Sequence, residues 1–277
     1  MSKRHLLGLI RGILKKMNLT ILRDSTYQSL VLDLTRSVND SFLEILKISG
    51  MQNGLNLDEF LTHSKSQIKQ DIFTLTMLTG FENGYFVEFG ATDGVHLSNT
   101  FLLEKRFNWN GILAEPGKNW HKSLRENRTA HLEFSCISSQ SGDTLTFHEC
   151  ENPNLSTTSK FISVDNRRRK IKRSYEVQTI SLIDLLLKYN APSIIDYLSI
   201  DTEGSEYEIL RTFDFQKYKF RVITCEHNYN EEVRSKIHNL LTQAGYKRVW
   251  KNFTRCDDFY INPELIYLKS FASSSEI

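Results

Sequence analysis

The sequence predicts an open α/β fold, in which a mainly parallel sheet carries helices on both faces. Three apolar runs support this prediction, because each ends in an acidic residue near a turn-forming glycine or proline: residues 85–94, 111–116 and 196–204. In open α/β sheets, ligands bind in a crevice at the carboxyl ends of the parallel strands. The three acidic strand ends therefore predict one shared ligand site.

The run 85–94 has the layout of a nucleotide-binding turn. An apolar strand reaches Glu88, and Gly90 and Gly94 would let the backbone turn sharply and approach a ligand. Glu88 can accept hydrogen bonds from a cationic or hydroxylated ligand. The same strand and turn also occur as a plain connection in α/β proteins, so the run alone leaves both interpretations open.

A crossover helix is predicted over residues 97–107, where apolar residues recur at helical spacing. Ser98 lies at its start, where a short polar side chain caps free amides, and Asn99 is placed to reach a ligand over the turn. Glu115 ends the next strand, 27 residues after Glu88. A carboxylate at such a distance can hold both hydroxyls of a ribose.

The C-terminal half completes the predicted sheet. Alternation over 144–149 predicts an edge strand or hairpin, and Ser181 begins a capping box ahead of a helix. The remaining predicted elements are strands at 175–180 and 221–225, helices at 182–189 and 231–244, and a terminal antiparallel pair at 246–250 and 258–261.

Composition predicts one soluble domain over 79–277 and an N-terminal helical extension over 1–78. The chain has 277 residues, of which 40% are hydrophobic and 25% charged, and a net charge of +2 that gives no reason to expect nucleic acid. Its four cysteines show no zinc spacing, and Cys136 and Cys225 lie in apolar runs, so we expect reduced core thiols. This usage predicts a cytoplasmic protein.

Residues 3–17 alternate leucine and isoleucine with lysine and arginine, which predicts a basic amphipathic helix. Such a helix could lie on the inner face of an anionic membrane. Alternatively, it packs on its own domain or on a second copy in a homo-oligomer. Further helix is predicted over 27–46 and 57–78, with a loop from Gly50 to 56, and no apolar run reaches the length of a membrane span.

Residues 156–174 are polar and include four consecutive basic residues at 167–170. Most such runs are solvated loops. A basic lid over the crevice is the alternative, and it would attract a phosphorylated or acidic acceptor such as a nucleotide-linked sugar.

Four blocks of the sequence resemble the FkbM-type methyltransferases, a branch of the class I S-adenosylmethionine-dependent enzymes. They are FVEFGATDG at 86–94, ILAEP at 112–116, DYLSIDTEGSE at 196–206 and VITCEHN at 222–228. The resemblance covers roughly residues 80–262. It implies a Rossmann-like, seven-stranded sheet flanked by helices, S-adenosylmethionine as the cofactor, and O-methylation of a sugar or glycan-like hydroxyl in carbohydrate biosynthesis.

The resemblance also implies the parts of the cofactor site. The turn 88–94 would contact the amino-acid end, Glu115 the ribose hydroxyls, and 136–138 the adenine. The expected cofactor-binding residues are Glu88, Gly90, Ala91, Thr92, Asp93, Gly94, Asn99, Glu115, Pro116, Ser138 and Asp201.

Two other functions stay open at this point. A nicotinamide-dependent oxidoreductase usually shows G-x-G-x-x-G, whereas here Gly90-x-x-x-Gly94 is flanked by Glu88 and Asp93, whose charges would repel a pyrophosphate. A non-catalytic binding or scaffold module could keep the fold. A scaffold without a ligand site would have no use for one particular set of residues that this chain has: Glu88, Gly90, Gly94 and Glu115.

Methyl transfer needs a positioned acceptor and, for a hydroxyl, a group that takes its proton. Asp201, Glu203, Glu226 and His227 follow strands whose ends meet at the crevice. His227 titrates nearest neutrality and is the predicted general base, although it could equally hydrogen-bond at the strand end. Glu203 is the second candidate, if burial raises its pKa, and Asp201 the third.

A magnesium ion is the minority hypothesis for the same strand ends. Some small-molecule O-methyltransferases of this fold hold magnesium with acids at positions analogous to Asp201, Glu226 and Asn228, and oxygen ligands suit this ion. Those enzymes place a lysine base three residues after the first acid, where this chain has Gly204. The lysine mechanism therefore does not apply here.

Overall fold

The computed structural model describes residues 40, 42–44, 46, 47, 50, 55–162 and 169–266. The strands are β1 Tyr85–Phe89, β2 Asn110–Ala114, β3 His131–Glu133, β4 Cys136–Ser138, β5 Thr144–Cys150, β6 Thr157–Thr158, β7 Ile171–Ser181, β8 Ile194–Ile200, β9 Lys219–Glu226, β10 Lys247–Val249 and β11 Asp257–Ile261. The helices are α1 Asp58–His63, α2 Gln70–Met77, α3 Phe101–Phe107, α4 His121–Asn127, α5 Leu182–Lys188, α6 Glu206–Leu210 and α7 Glu231–Gln243.

Seven strands form the main sheet, in the order β10-β11-β9-β8-β1-β2-β3. β11 is antiparallel to both of its neighbours, and the other pairs are parallel. The chain moves from β1 outward through β2 and β3, and later returns to the other side of β1 as β8. This reversal of strand order opens a crevice beside the ends of β1 and β8. The predicted fold is confirmed.

The central strands are buried on both faces, which explains why they are almost continuously apolar. In β1, Phe86 faces a core cluster that contains Phe73 of α2, and Val87 faces the opposite cluster with Leu185 of α5. Successive side chains of a strand point to opposite faces, so a single apolar run supplies both cores. Helices on both sides of the sheet cover these two faces.

The described part of the predicted N-terminal extension packs against this sheet. Every residue of α2 is buried, and the Gln70 amide donates to the Asp257 carboxylate of β11 at 3.0 Å. The predicted helix 57–78 is interrupted at residues 64–69, because the Asp71 carboxylate accepts hydrogen bonds from the Ser64 and Ser66 hydroxyls. Gly50, predicted to begin a loop, is helical.

The predicted basic helix at 3–17 lies outside the described residues, and so does most of 27–46. No described helix combines the length and the apolar character that a bilayer span requires.

A second sheet has four strands in the order β4-β7-β5-β6. In the sequence these strands lie between β3 and β8 of the main sheet. The segment 144–149 was predicted as an edge strand or part of a hairpin. It forms β5, which lies inside this sheet and pairs antiparallel with β7 on one side and β6 on the other. β7 begins at Ile171, four residues before the predicted start, because Ile171, Arg173 and Ser174 pair with residues of β5. The predicted polar loop thus contains β6 and the start of β7.

Candidate functional site

A cleft lies at the carboxyl ends of β1, β2 and β8, and residues of β4, β5 and β6 form its far wall. It contains about 930 Å³ of space, a volume that includes its open mouth. The predicted site residues that line it are Glu88, Gly90, Thr92, Asn99, Glu115, Pro116, Asp201 and Glu203. Those that do not line it are Ala91, Asp93, Gly94, Ser138, Glu226, His227 and Asn228.

Glu88 is engaged by the protein itself. Its Oε1 accepts a hydrogen bond from the Asn99 backbone amide at 2.7 Å, and its Oε2 accepts from the hydroxyls of Ser98, at 3.0 Å, and Thr100. Burial raises the pKa of Glu88, and the Arg128 guanidinium 3.8 Å away opposes that rise. These bonds hold 98–100 out of helical conformation, so α3 begins at Phe101 and not at 97.

The two glycines of the turn have different functions. Gly90 has φ 76°, and a Cβ there would lie 2.1 Å from the backbone oxygen of Asp201, so only glycine allows β1 and β8 to end side by side. A Cβ at Gly94 would lie 2.5 Å from the Arg128 side chain. Gly94 therefore makes room for Arg128. The Oδ1 of Asp93 accepts hydrogen bonds from the backbone amides of Val95 and His96.

Glu115 lies at the end of β2 with its carboxylate in the cleft wall. Its Oε2 accepts from the Thr92 amide at 2.9 Å and its Oε1 from the Gly117 amide at 2.7 Å. The side chain is 5% exposed, and burial raises its pKa to about 7 against the effect of these two amides. Each carboxylate oxygen keeps a second lone pair that can accept a ligand hydroxyl.

Asn99 also faces the cleft. Its Nδ2 donates to the Ser199 hydroxyl at 2.9 Å, whereas its buried Oδ1 has no hydrogen-bond partner among the described residues. A buried acceptor of this kind suits an ammonium group. Together with Glu115, which suits a ribose diol, the site fits S-adenosylmethionine.

The apolar end of the cleft lies near β4. Cys136 and Ile137 line it, but Ser138 pairs with Ser181 in the second sheet and does not, and the contact of 136–138 with an adenine stays a prediction. Two aromatic residues that also line the cleft, Trp120 and Phe147, were not singled out from the sequence, because neither belongs to a recognisable motif.

Three carboxylates meet beyond the end of β8. Asp201, Glu203 and Glu226 have oxygens within 4.8 Å of one another, close enough to share a cation. Burial raises the pKa of Glu226 well above its usual range, and the charges of Asp201 and Glu203 add to the rise. The Asn228 amide nitrogen donates to Glu226, and Arg169 forms an ion pair with Glu203 at 3.0 Å.

His227 lies next to this group but outside the main cleft. Its Nδ1 accepts from the Tyr229 backbone amide at 3.1 Å, and its Nε2 lies 3.9 Å from the Asp258 carboxylate. The ring is buried, and burial lowers its pKa to about 4. These contacts agree with hydrogen bonding at the strand end, and its action as the base stays a prediction.

The far wall of the cleft is polar and was missed from the sequence. Ser156, Thr157 and Thr158 lie in the segment 156–174 that was interpreted as a loop, and Asn154 lies just before it, where the residues carry no periodic signal. Thr202 and Ser205, in the loop after β8, add two more hydroxyl groups to the cleft.

A scan against protein-family models matches the methyltransferase FkbM domain over residues 88–248. A search of the curated proteins found no match. Among solved structures, the chain is similar to precorrin-6y C5,15-methyltransferase from Geobacter metallireducens GS-15, with 13% identity, a TM-score of 0.37, and coverage of 69% of this chain and 84% of that one. It is also similar to a methyltransferase from Pyrococcus furiosus, with 12% identity, a TM-score of 0.33, and coverage of 72% and 84%. The family match spans more than half of the chain and contains Glu88, Glu115, Asp201 and Glu226, so this protein belongs to the FkbM methyltransferase domain family.

Proposed function

We propose that this protein transfers a methyl group from S-adenosylmethionine to a hydroxyl group of a sugar or glycan-like acceptor. The observation that carries the proposal is the composition of one cleft. At one end it has the Glu115 carboxylate and the unpartnered oxygen of Asn99, and along its far wall it has hydroxyl and amide side chains. The first end suits the methyl donor, and the wall suits a polyhydroxylated acceptor.

The donor site would be formed by side chains and by loop shape. Glu115 would accept the ribose hydroxyls, and Asn99 Oδ1 would accept a hydrogen bond from the ammonium group. Gly90, Thr92 and Pro116 would form the adjoining surface, whereas Glu88 would act by shaping the loop. When bound, S-adenosylmethionine supplies a methyl group that its sulfonium activates for displacement.

The acceptor proton would pass to a carboxylate at the end of β8. Asp201 and Glu203 both line the cleft, and the buried Arg169 guanidinium stabilises the charge of Glu203. As the acceptor oxygen attacks the methyl carbon, its proton would move to one of these groups. His227 is the alternative base, although its buried ring faces a separate, smaller pocket.

Magnesium is the second possibility at this end, with Asp201, Glu226 and Asn228 as the sequence-based ligands. The clustering of Asp201 and Glu226 with Glu203 supports it, whereas Asn228 directs its amide nitrogen to Glu226. Full turnover in excess chelator would exclude a required metal.

The acceptor is proposed to be a small molecule or saccharide, with a phosphorylated or acidic sugar as one form and without nucleic acid as a partner. We further propose a cytoplasmic location. All four cysteines are buried and unpaired, which suits a reducing compartment.

The test begins with calorimetric titration of the purified protein with S-adenosylmethionine, S-adenosylhomocysteine and NAD. We expect the two sulfur ligands to bind and NAD not to bind. Binding of NAD alone would favour the oxidoreductase alternative, and binding of none would refute the proposed donor site.

Transfer is then measured with methyl-labelled S-adenosylmethionine and a defined panel. The neutral probes are the methyl α-D-glycosides of glucose, galactose and mannose, and the charged probes are UDP-glucose and UDP-glucuronic acid. Product on any probe supports sugar O-methylation. Donor binding without transfer to any of them would favour another acceptor class or a non-catalytic module.

A further inference from the structure

The two-residue strand β6 places a polar wall beside the acidic end of the cleft. Thr157 and Thr158 pair antiparallel with His148 and Phe147 of β5. The Thr157 hydroxyl donates to the Glu203 backbone oxygen at 3.2 Å. β6 therefore lies against the loop that carries the proposed proton acceptors.

The hydroxyl of Thr158 is the feature of this wall that suggests a bound ligand. The residue is 6% exposed and lines the cleft, and its Oγ1 has no hydrogen-bond partner in the part of the chain that the structure describes. Buried hydroxyls are hydrogen-bonded in the large majority of cases, so a buried hydroxyl without a partner, in a residue that lines a cleft, suggests a ligand group.

The position of this hydroxyl is fixed by its surroundings. Arg169, with a side chain 1% exposed, donates through Nε to the Leu155 backbone oxygen at 3.0 Å and through Nη2 to the Glu203 carboxylate at 3.0 Å. It thereby ties the segment before β6 to the loop after β8. Pairing with β5 fixes the backbone of Thr158, and Arg169 braces the segments on either side of it, so the wall that carries this hydroxyl has a defined shape.

We propose that Thr158 is a specificity-determining residue that hydrogen-bonds a ring hydroxyl of a neutral hexopyranoside acceptor. This inference rests on the proposed function. An acceptor is favoured over the donor because β6 contacts the Glu203 loop, while the donor's ribose and ammonium have partners in Glu115 and Asn99. A neutral hydroxyl is favoured because a threonine hydroxyl both donates and accepts, and because the nearby charge of Glu203 is paired with Arg169.

The test compares Thr158→Val, which keeps the shape and removes the hydroxyl, with wild type. The probes are the three methyl α-D-hexopyranosides, with S-adenosylmethionine as donor. We expect KM for the methylated hexoside to rise about three- to tenfold, as for one lost hydrogen bond, while kcat stays within about twofold. Affinity for S-adenosylhomocysteine should not change, and Thr158→Ser should restore KM.

Thr254→Val is the matched control. Thr254 is also buried and its hydroxyl also lacks a partner among the described residues, but it does not line the cleft. We expect its replacement to leave KM unchanged. Both valine variants should have a melting temperature equal to or above that of wild type, because each removes a buried polar group without a partner.

Several results would overturn the inference. An unchanged KM in Thr158→Val would exclude the contact, and a lower melting temperature with unchanged KM would show a structural hydroxyl. Weaker binding of S-adenosylhomocysteine would place Thr158 in the donor site. Wild type that binds S-adenosylhomocysteine but methylates none of the hexosides would refute this ligand class alone, whereas wild type that does not bind S-adenosylhomocysteine would refute the proposed function itself.

Discussion

Replacing Glu115 with glutamine is expected to weaken S-adenosylhomocysteine binding by an amount that depends on pH. The ribose hydroxyls would donate hydrogen bonds to the carboxylate, so they bind its ionised form. Burial raises the pKa of Glu115 to about 7 in the free protein. Above that pH the Glu115 carboxylate is ionised and can accept the ribose hydrogen bonds. Below it the carboxyl group is mostly protonated and must lose its proton before the ligand binds.

The magnitude follows from these hydrogen bonds. Hydrogen bonds to a charged group contribute about 2 to 3 kcal/mol here, or roughly 30- to 150-fold in affinity. Wild-type affinity should therefore be constant above pH 7 and fall up to about tenfold per pH unit below it. The ratio of wild-type affinity to Glu115→Gln affinity for S-adenosylhomocysteine should be largest above pH 7 and approach one about two pH units lower.

The free protein should show the opposite trend in its free energy of unfolding. The pKa of Glu115 rises from 4.5 to about 7 on folding, so its contribution is fully present below the lower value and is lost as pH rises through the higher one. The shift corresponds to about 3 kcal/mol. Relative to wild type, Glu115→Gln should become more stable by up to about that amount as pH rises through this window.

Calorimetry from about pH 5.5 to 8.5, in buffers of different ionisation enthalpy, measures both affinity and proton release. The control is Glu133→Gln, because Glu133 is a buried carboxylate at the end of the neighbouring strand β3 that pairs with Lys188 outside the cleft. It should leave binding unchanged. A wild-type affinity that does not vary with pH, or equal affinity in Glu115→Gln, would refute the reasoning.

Three further substitutions test the rest of the site. Gly90→Ala should lower the free energy of unfolding by at least about 3 kcal/mol, because the added Cβ would clash with the backbone oxygen of Asp201. Gly142→Ala is the control: it has φ 85° but open space around its Cβ, so it should cost only about 1 kcal/mol. Equal costs would contradict the steric argument. His227→Gln should lower the melting temperature but keep turnover within about threefold, and a loss of about a hundredfold would identify the general base. Arg169→Gln should cost about 3 kcal/mol, measured by denaturant unfolding, because it leaves the partly buried Glu203 charge without this partner; a cost under about 1 kcal/mol would show that the pair is not needed.

The main sheet could be predicted because its information is local. The central parallel strands β1, β2, β8 and β9 are buried on both faces, and each appears as an apolar run that ends at or next to an acid. The short edge strand β3, whose first residue His131 is exposed, was not predicted. The second sheet was harder to predict. Residues 172–174 are polar, and the stretch 171–174 forms a strand because β5, more than 20 residues earlier, offers its backbone for pairing.

The residues of the site also fall into those that a local sequence signal predicts and those that depend on residues elsewhere in the chain. Glu115 was predicted from its strand end and spacing, and Asn99 from its place at the start of the crossover helix; both line the cleft. The orientation of His227 could not be predicted, because it depends on a backbone amide two residues further on that occupies its Nδ1. Thr158 could not be found either, since a hydroxyl without a partner is visible only when its neighbours are placed.

The engagement of Glu88 changes what the signature FVEFGATDG signifies. Its acid is occupied by Ser98, Asn99 and Thr100, and its second glycine accommodates Arg128. A descendant of this chain that no longer bound a methyl donor would still need both residues to fold the loop, and would keep them. In this chain, the capacity to bind a methyl donor would therefore be judged better from Asn99 and Glu115, which keep hydrogen-bonding capacity and line the cleft, than from the most recognisable part of the sequence.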